Sequence, residues 1–411
     1  MSADIAIYTR PTAMEPLLPK TDRAILSTLS RDIFQASGCL LGMVHSKVVR
    51  KKMASLIREM NCYYSNLIEG HKTKPRDIQR ALIQDFSGNE KKRENQLLSL
   101  AHIQVEELME ERLRNEESMD VYSQEFLCWI HHEFYTHLPE SLRFAFTEEG
   151  EKINIVPGEF RKTMVAVGRH TPPHFDSLDT FLTRFKRFYG DSKIYDTDRL
   201  IAIAAAHHRL AWIHPFLDGN GRVMRLHSQA LMIKHGLASH GLWTLSRGLA
   251  RYRERYYKLL QEADRRRIND YDGRGNLSDK GLSAFCSFFL ETMLDQINFM
   301  TEIFDLPRLR KRVEHHFQFQ ALHITQYREE KMRVVKNLIE EGEIQRTKIQ
   351  EITGKGATIS AKIIKQGLEE ELFVTPSAKG VLQINFPEQV LESYFPRLFL
   401  DLPSRSEEEN T

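Results

Sequence analysis

Cysteine is scarce and scattered in this chain. Four of 411 residues carry a thiol, Cys39, Cys62, Cys128 and Cys286. No C-x-x-C pair and no Cys/His cluster is formed, so neither a zinc site nor a disulfide framework is supported. A reducing compartment is the simplest fit. Long apolar runs are missing as well. No window of about 18 uninterrupted apolar residues exists, so no membrane-spanning helix is expected. The N-terminus, Met1 to Pro19, lacks a basic start followed by an apolar block, so no secretory signal is expected either. Charge of one sign is not in excess: Lys and Arg number 58 and Asp and Glu 56, for a net charge of +2. Nothing global therefore points to nucleic acid, to a membrane or to an acidic substrate. A soluble, cytoplasmic protein is the default expectation, with length enough for two or more domains.

The chemistry concentrates in one stretch, His214 to Arg225, which reads H-P-F-L-D-G-N-G-R-V-M-R. An apolar helical segment, Thr197 to Ile213, runs before it. A second, Val223 to His235, runs after it and is closed by Gly236. The stretch therefore reads as helix, tight glycine turn, helix. A Gly-Asn-Gly turn opening a helix is an anion site. The first-turn N–H groups have no helical acceptor, the helix dipole is positive there, and glycine lets a phosphate approach the backbone. Around it stand one base (His214), one carboxylate (Asp218) and two guanidiniums (Arg222 and Arg225). Base, metal ligand, anion cradle and charge clamps are what transfer of a phosphate-linked group requires.

The stretch resembles the motif of the Fic family, H-x-F-x-[D/E]-G-N-G-R-x-x-R, at every fixed position. The resemblance implies a mainly α fold: a helical Fic core with a short β-hairpin flap. It implies transfer of AMP from ATP to a Ser, Thr or Tyr hydroxyl of a target protein, and of the protein itself. Carried over by residue, His214 would deprotonate the hydroxyl and Asp218 would hold Mg²⁺ against the phosphates. Gly219, Asn220 and Gly221 would form the cradle with their backbone, Asn220 adding its side chain. Arg222 would contact the inner phosphates and Arg225 the γ-phosphate. A related subfamily with kinase activity has Lys where Gly221 stands, so Gly221 favours nucleotidyl transfer.

Two further stretches carry the resemblance. Ser65 to Gly70, S-N-L-I-E-G, matches the family's inhibitory motif [S/T]-x-x-x-E-[G/N], here N-terminal to the catalytic stretch. It implies an autoinhibitory pair, Ser65 and Glu69. A Glu69 carboxylate paired with Arg225 would take the guanidinium that the γ-phosphate needs. Ile155 to His174 contains P-G-E-F-R, then V-A-V-G, then P-P, and resembles the family's flap. The run Thr163 to Val167 alternates like a strand, and Gly168 offers a turn. The flap would hold the target segment by strand addition, with Val165, Ala166, Val167 and Gly168 along the nucleotide. Tyr256 and Tyr257 fall where the family places aromatics beside the adenine. Two alternatives stay open: the same site removing AMP, with Glu69 positioning a water, and a nucleotide-sensing winged-helix regulator.

Along the rest of the chain, Met1 to Lys20 reads equally as an extended arm or a loose tail. A helix starts at Thr21 and is interrupted from Gly38 to Gly42. The next spans about Val48 to Glu69, with Met53, Ile57, Met60, Tyr64 and Ile68 at helical spacing and Gly70 as its cap. Thr73 to Leu113 continues helical. Tyr122 to Thr136 is a helix in which His131 and His132 are ordinary residues, since H-E-x-x-H is not formed. Asp196 to Asp198 caps the helix before the catalytic turn, with Ile201, Ala204, Ala205, His208 and Trp212 buried and His207 packed. Arg247 to Asp264 and Leu282 to Phe304 are helices, and Asp272 to Asn276 is a flexible loop. Past Leu306 and Pro307 the order becomes helix, turn, helix, hairpin, resembling a small winged helix-turn-helix domain. Its second helix carries Lys362 and Lys365 but ends in three glutamates, a poor fit to phosphates, so DNA is open but not favoured as a partner. The division expected is 1–110 with the inhibitory helix, 111–305 as the Fic core, 306–402 as the winged-helix-like domain and 403–411 as a disordered acidic tail. A homodimer is implied only by the resemblance.

Overall fold

A computed structural model describes residues 8–146, 150–320 and 326–399. The acidic tail and the first seven residues of the arm lie outside these. The chain divides into two compact units. One gathers Met1–Ser37, Asn61–Ala238 and Thr244–Gln296, and the other Gly38–Met60, Ser239–Trp243 and Ile297–Thr411.

Helix α1 (Arg23–Met43) runs without a break through Gly38 and Gly42, so the expected interruption does not occur. The buried positions Leu26, Ile33, Ser37 and Leu40 keep helical spacing across both glycines. That periodic burial outweighs the ~1 kcal/mol that each interior glycine costs. Helix α2 (Lys47–Ile68) buries Met53, Ile57, Met60, Tyr64 and Ile68, as their spacing required. It ends at a Schellman pair: His71 N–H donates to Asn66 O (2.9 Å) and Gly70 N–H to Leu67 O (3.0 Å), with Gly70 at φ +89°. That geometry puts Glu69 at the C-cap, just past Ile68, before the chain turns away.

The first unit continues with α3 (Pro75–Leu82), α4 (Glu90–Asn115) and α5 (Gln124–Thr136), the last capped by Ser123, whose hydroxyl accepts from Phe126 N. Strands β1 (Phe144–Phe146) and β2 (Lys152–Asn154) pair antiparallel in a two-stranded sheet that the sequence did not announce. Helices α6 (Leu178–Tyr189), α7 (Asp196–Ile213) and α8 (Asn220–Lys234) follow, with α8 packed by α7, α4 and α5. Helix α7 is buried nearly all round, from Leu200 through Leu210, the signature of a central core helix. Its start carries no side-chain cap, and Asp198 instead pairs with Arg23. The expected single helix over 247–264 is two, α9 (Ser246–Arg251) and α10 (Arg253–Ala263), broken at Tyr252. Helix α11 (Asp279–Phe304) contributes Leu282, Phe285, Phe289 and Met293 to the core, all at 0% exposure. Each such side chain is worth about 1.5–3 kcal/mol on burial.

The arm is packed where it is described. Met14 and Leu17 are buried, Tyr189 Oη donates to Leu17 O (2.7 Å) and Arg209 Nη2 to Pro16 O (2.7 Å). The loop at 272–276, expected to be flexible, is tied down. Asp272 is buried and accepts from Ser278 Oγ and from Ile268 N and Lys280 N, and Asn276 Nδ2 donates to Ala13 O.

In the second unit, α12 (Leu306–His315) precedes α13 (Arg328–Glu341), β3 (Glu343–Ile344), α14 (Ile349–Thr353), α15 (Ala357–Glu369), β4 (Phe373–Val374), β5 (Leu382–Ile384) and α16 (Glu388–Tyr394). The three strands pair antiparallel in the order β3-β5-β4. Val334, Leu338, Ile349, Ile363, Phe373 and Leu382 form the core. Ile359 on α15 is 36% exposed. Gly354 turns between α14 and α15 at φ +69°.

Candidate active site

The stretch from His214 to Arg225 forms the turn between α7 and α8. His214 ends α7 in the left-handed region (φ 48°, ψ 62°), a conformation in which a histidine is tolerated but not relaxed. Phe216 is fully buried, its ring stacked on His131 at 4.1 Å and 5°. The Asn220 side chain closes the turn on itself. Its Oδ1 accepts from Phe216 N (2.9 Å) and its Nδ2 donates to Phe216 O (2.8 Å). The side chain is thus engaged at both its ends in building the turn.

Gly219 sits at φ +77° just before α8, and a Cβ there would lie 2.9 Å from Tyr135. Only glycine meets both demands. The α8 N-terminus has no side-chain cap, so its first N–H groups keep their capacity to bind an anion. The protein's own Glu69 carboxylate stands close to that turn. A Cβ added at Gly221 would meet Glu69 Oε1 at 2.2 Å.

Arg225 is the partner of that carboxylate. Its Nη2 donates to Glu69 Oε1 at 2.6 Å and to Ser65 O at 3.2 Å, and its Nε to Ser65 Oγ at 3.0 Å. The Arg225 side chain is 3% exposed and the Glu69 side chain 29%. Burial works to raise the Glu69 pKa, but Arg225 and Arg222 outweigh it and hold the carboxyl below its ordinary value. Glu69 is therefore an anion at neutrality. Arg222 lies with its guanidinium 5.1 Å from the Phe134 ring, buried, and its Nε has no hydrogen-bond partner. A buried guanidinium with an unmet donor favours an incoming anion.

His214 is half-buried. Burial, then the Arg161 cation and His170, push its pKa down to about 4, against a weaker pull from the Ala211 backbone and Asp218. The ring is thus neutral at physiological pH and able to accept a proton. Asp218 is exposed, and its Oδ2 accepts from Tyr135 Oη at 2.7 Å.

Three supporting residues were not singled out from the sequence. Tyr135 orients the Asp218 carboxylate. His131, treated as ordinary, is fully buried under Phe216 and accepts Gly158 N–H at its Nδ1 (2.8 Å). Arg161 joins the flap to the turn: its Nε donates to His214 O (2.8 Å), its Nη1 to Thr163 O (3.0 Å), its Nη2 to Pro173 O (2.5 Å) and its backbone N–H to Pro215 O (2.9 Å). The signal for the first two was a polar pair four residues apart on the buried face of α5, beside Phe134 and Ile130.

The flap is not a regular hairpin. Residues 163–166 form no strand, and one bridge pairs Val167 with His170. Val165, Ala166, Val167 and Gly168 lie on this looped stretch, between the Thr163 and Pro173 carbonyls that accept from Arg161. The tyrosine pair separates. Tyr256 is at 0% exposure and bonded through its hydroxyl to His207 Nε2 (2.9 Å), so its ring offers no surface for stacking in this conformation. Tyr257 is 36% exposed, and its hydroxyl donates to Ile68 O (3.2 Å) at the end of α2.

Residues 121–232 match the family model described as the Fic/DOC family. The protein adenylyltransferase Fic of Drosophila erecta is 40% identical over 79 residues, 19% of this chain and 16% of that protein. That of Culex quinquefasciatus is 35% identical over 107 residues, 26% of this chain and 20% of that protein. The matched stretch thus spans a fifth or less of the length of these curated relatives. A Fic family protein from Desulfovibrio desulfuricans superposes at a TM-score of 0.53 with 16% identity, over 90% of this chain and 98% of that one. A Fic domain-containing signalling protein from Bacteroides thetaiotaomicron reaches 0.50 with 15% identity, over 66% of this chain and 97% of that one. At these identities the likeness is one of fold.

Proposed function

This chain carries a Fic domain, and from that premise we propose that it is an autoinhibited protein adenylyltransferase, moving AMP from ATP to a hydroxyl of a target protein. The observation that carries the reading is the neutral His214 imidazole standing at the mouth of an uncapped helix start, beside two buried guanidiniums. His214 takes the proton of the incoming Ser, Thr or Tyr hydroxyl. The oxygen attacks the α-phosphorus of ATP, the bond from that phosphorus to the bridging oxygen breaks, and pyrophosphate leaves. A general base of this kind is worth about 10²–10⁴ in rate. Arg222 and Arg225 bear the phosphate charge, and the α8 N-terminus cradles it.

Asp218 fits a magnesium ion held jointly with substrate phosphates. It is a hard oxygen ligand, exposed, and oriented by Tyr135. Among the described residues no group of three or more His, Cys, Asp or Glu could hold a metal by itself, and Mg²⁺ at phosphoryl sites needs only one or two carboxylates. Bound there, the ion would neutralise charge developing on the departing phosphates.

The brake is Glu69. It occupies the space beside Gly221 and the guanidinium of Arg225 together, so a triphosphate meets both an obstructed approach and a committed clamp. The same ionised carboxylate is 29% exposed, and a water bound to it would give the reverse reaction, removal of AMP, which is the second reading. Incubating AMP-modified protein with wild type and with Glu69→Gly separates the two: hydrolysis by wild type alone supports the reverse role. For the forward reaction, self-labelling with α-labelled ATP is the test. Labelling that survives His214→Ala unchanged would overturn the assignment.

The target is read as docking along the flap. The C-terminal unit is read as a winged-helix-like docking domain rather than a DNA reader. Its helix α15 shows Lys362 and Lys365 outward, but Lys365 faces Glu369 at 3.9 Å. No described helix is long and apolar enough to cross a membrane.

A further inference from the structure

A cavity of about 140 Å³ opens beside the catalytic turn and takes no part in the chemistry above. It is lined by Ile153 of β2, by Ile155 and Val156 after it, by Phe160 and Lys162 at the start of the flap, and by Leu217 of the turn. None of the residues that would hold the nucleotide (Ser65, Glu69, Gly219, Gly221, Arg222, Arg225) lines it. The space is distinct from the phosphate cradle. Yet Leu217 is bonded to Asp218, and Arg161, also in its wall, donates to the carbonyl of His214. The cavity therefore adjoins the turn that carries His214 and Asp218.

The walls are mainly aliphatic and aromatic, and Val156 on them is 51% exposed. A cavity of roughly 150 Å³ with such walls holds a benzene ring, so this one fits a single leucine, isoleucine, methionine or phenylalanine side chain. Lys162 and Glu159 answer each other as an ion pair at 2.6 Å, and the donors of Arg161 are taken by the carbonyls of His214, Thr163 and Pro173, so neither cation is aimed at a guest. Strand β2 pairs only with β1 in its sheet, so one of its edges carries no partner strand among the described residues. An extended peptide laid along an open edge places alternate side chains into pockets. Its main-chain bonds supply affinity and the pockets supply specificity.

We propose that this cavity is a subsite for one apolar side chain of the acceptor protein, at a fixed distance along the acceptor chain from the hydroxyl that receives AMP. The proposal rests on the transferase reading. It names the acceptor class: a hydroxyl residue in an extended segment with an aliphatic or aromatic neighbour at one set position. Losing that neighbour should cost about ten- to a hundredfold in acceptor efficiency, the range for an apolar side chain in a matched pocket.

The test uses the full chain carrying Glu69→Gly, α-labelled ATP, and a pool of short synthetic peptides with one central Ser, Thr or Tyr and randomised flanks. Labelled peptides are sequenced by mass spectrometry. The same assay is run with Val156→Asp, which sets a charge on the wall, and with Ile153→Trp, which fills the space. Neither residue belongs to the nucleotide machinery, so KM for ATP is the control. The expected result is apolar enrichment at one position, lost in both variants while KM for ATP holds. Labelled peptides with no positional enrichment, or enrichment that survives both substitutions, would overturn the subsite. Self-labelling with no peptide labelled would also overturn it, because a pocket of this kind needs only a short segment. No labelling of peptides or of the protein itself defeats the transferase reading, and the subsite falls with it.

Discussion

Replacing Glu69 separates the two ways in which it would block the site. Its Oε1 lies 2.6 Å from Arg225 Nη2, and the same atom stands 2.2 Å from where a Cβ on Gly221 would be. The first contact is electrostatic and the second is simple occupancy. A charge-assisted hydrogen bond to a nearly buried guanidinium contributes about 1.5–3 kcal/mol, and its loss corresponds to roughly 10- to 150-fold in productive nucleotide binding. Glu69→Gly removes both contacts and should raise self-labelling with α-labelled ATP by about that factor. Glu69→Gln keeps the shape and one acceptor but drops the charge, which leaves a neutral bond of about 0.5–1.5 kcal/mol. It should recover only part of the gain, several-fold at most. Initial rates of label incorporation at subsaturating ATP read the difference directly. A Glu69→Gly protein no faster than wild type would refute the brake. Equal rates for the Gly and Gln variants would refute the steric half of the reasoning.

Other outcomes follow from neighbouring contacts. Tyr135→Phe removes the hydroxyl that orients Asp218. It should raise the Mg²⁺ concentration needed for half-maximal labelling by about tenfold, with little change in melting temperature; an unchanged Mg²⁺ midpoint would contradict the assignment. Acid should destabilise the catalytic unit. Burial lowers the pKa of His102 to about 3 and of His227 and His235 to about 4, from 6.5. Between these values the unfolded chain binds protons that the folded one refuses, so the stability present above about pH 6.5 is lost as pH falls toward 4. Calorimetry should show proton uptake on unfolding near pH 5; a melting temperature flat from neutrality to pH 5 would speak against it. In the second unit, a Cβ at Gly367 would meet the Phe373 ring at 2.2 Å, so Gly367→Ala should cost about 1–3 kcal/mol. Hydrogen exchange over 357–384 should accelerate, and unchanged protection there would show that the ring yields freely.

The turn between α7 and α8 was legible because its pattern is local. A glycine pair, a base, a carboxylate and two arginines within twelve positions mark a helix start. The Glu69–Arg225 pair was legible for a related reason: the Schellman ending at Gly70 fixes where Glu69 sits, and Ser65 lies one turn earlier on the same face. What failed to show was non-local. Tyr135 and His131 earn their roles only when α5 packs on the turn, and Arg161 only when the flap folds back on the His214 carbonyl. Periodicity also misled where packing overruled propensity. Gly38 and Gly42 read as a break, yet buried neighbours carry α1 through them. The alternation at Thr163 to Val167 read as a strand, yet Arg161 takes the Thr163 carbonyl that a ladder would have used. Tyr256 looked like an adenine platform, but its hydroxyl was needed inside, on His207.

The most direct measurement is incorporation of label from α-labelled ATP into protein by the Glu69→Gly chain, compared with the same chain also carrying His214→Ala. The account predicts strong incorporation by the first and at least a hundredfold less by the second, the lower bound for losing a general base. ATP affinity should be nearly equal in the two. Equal incorporation with and without the imidazole would contradict it.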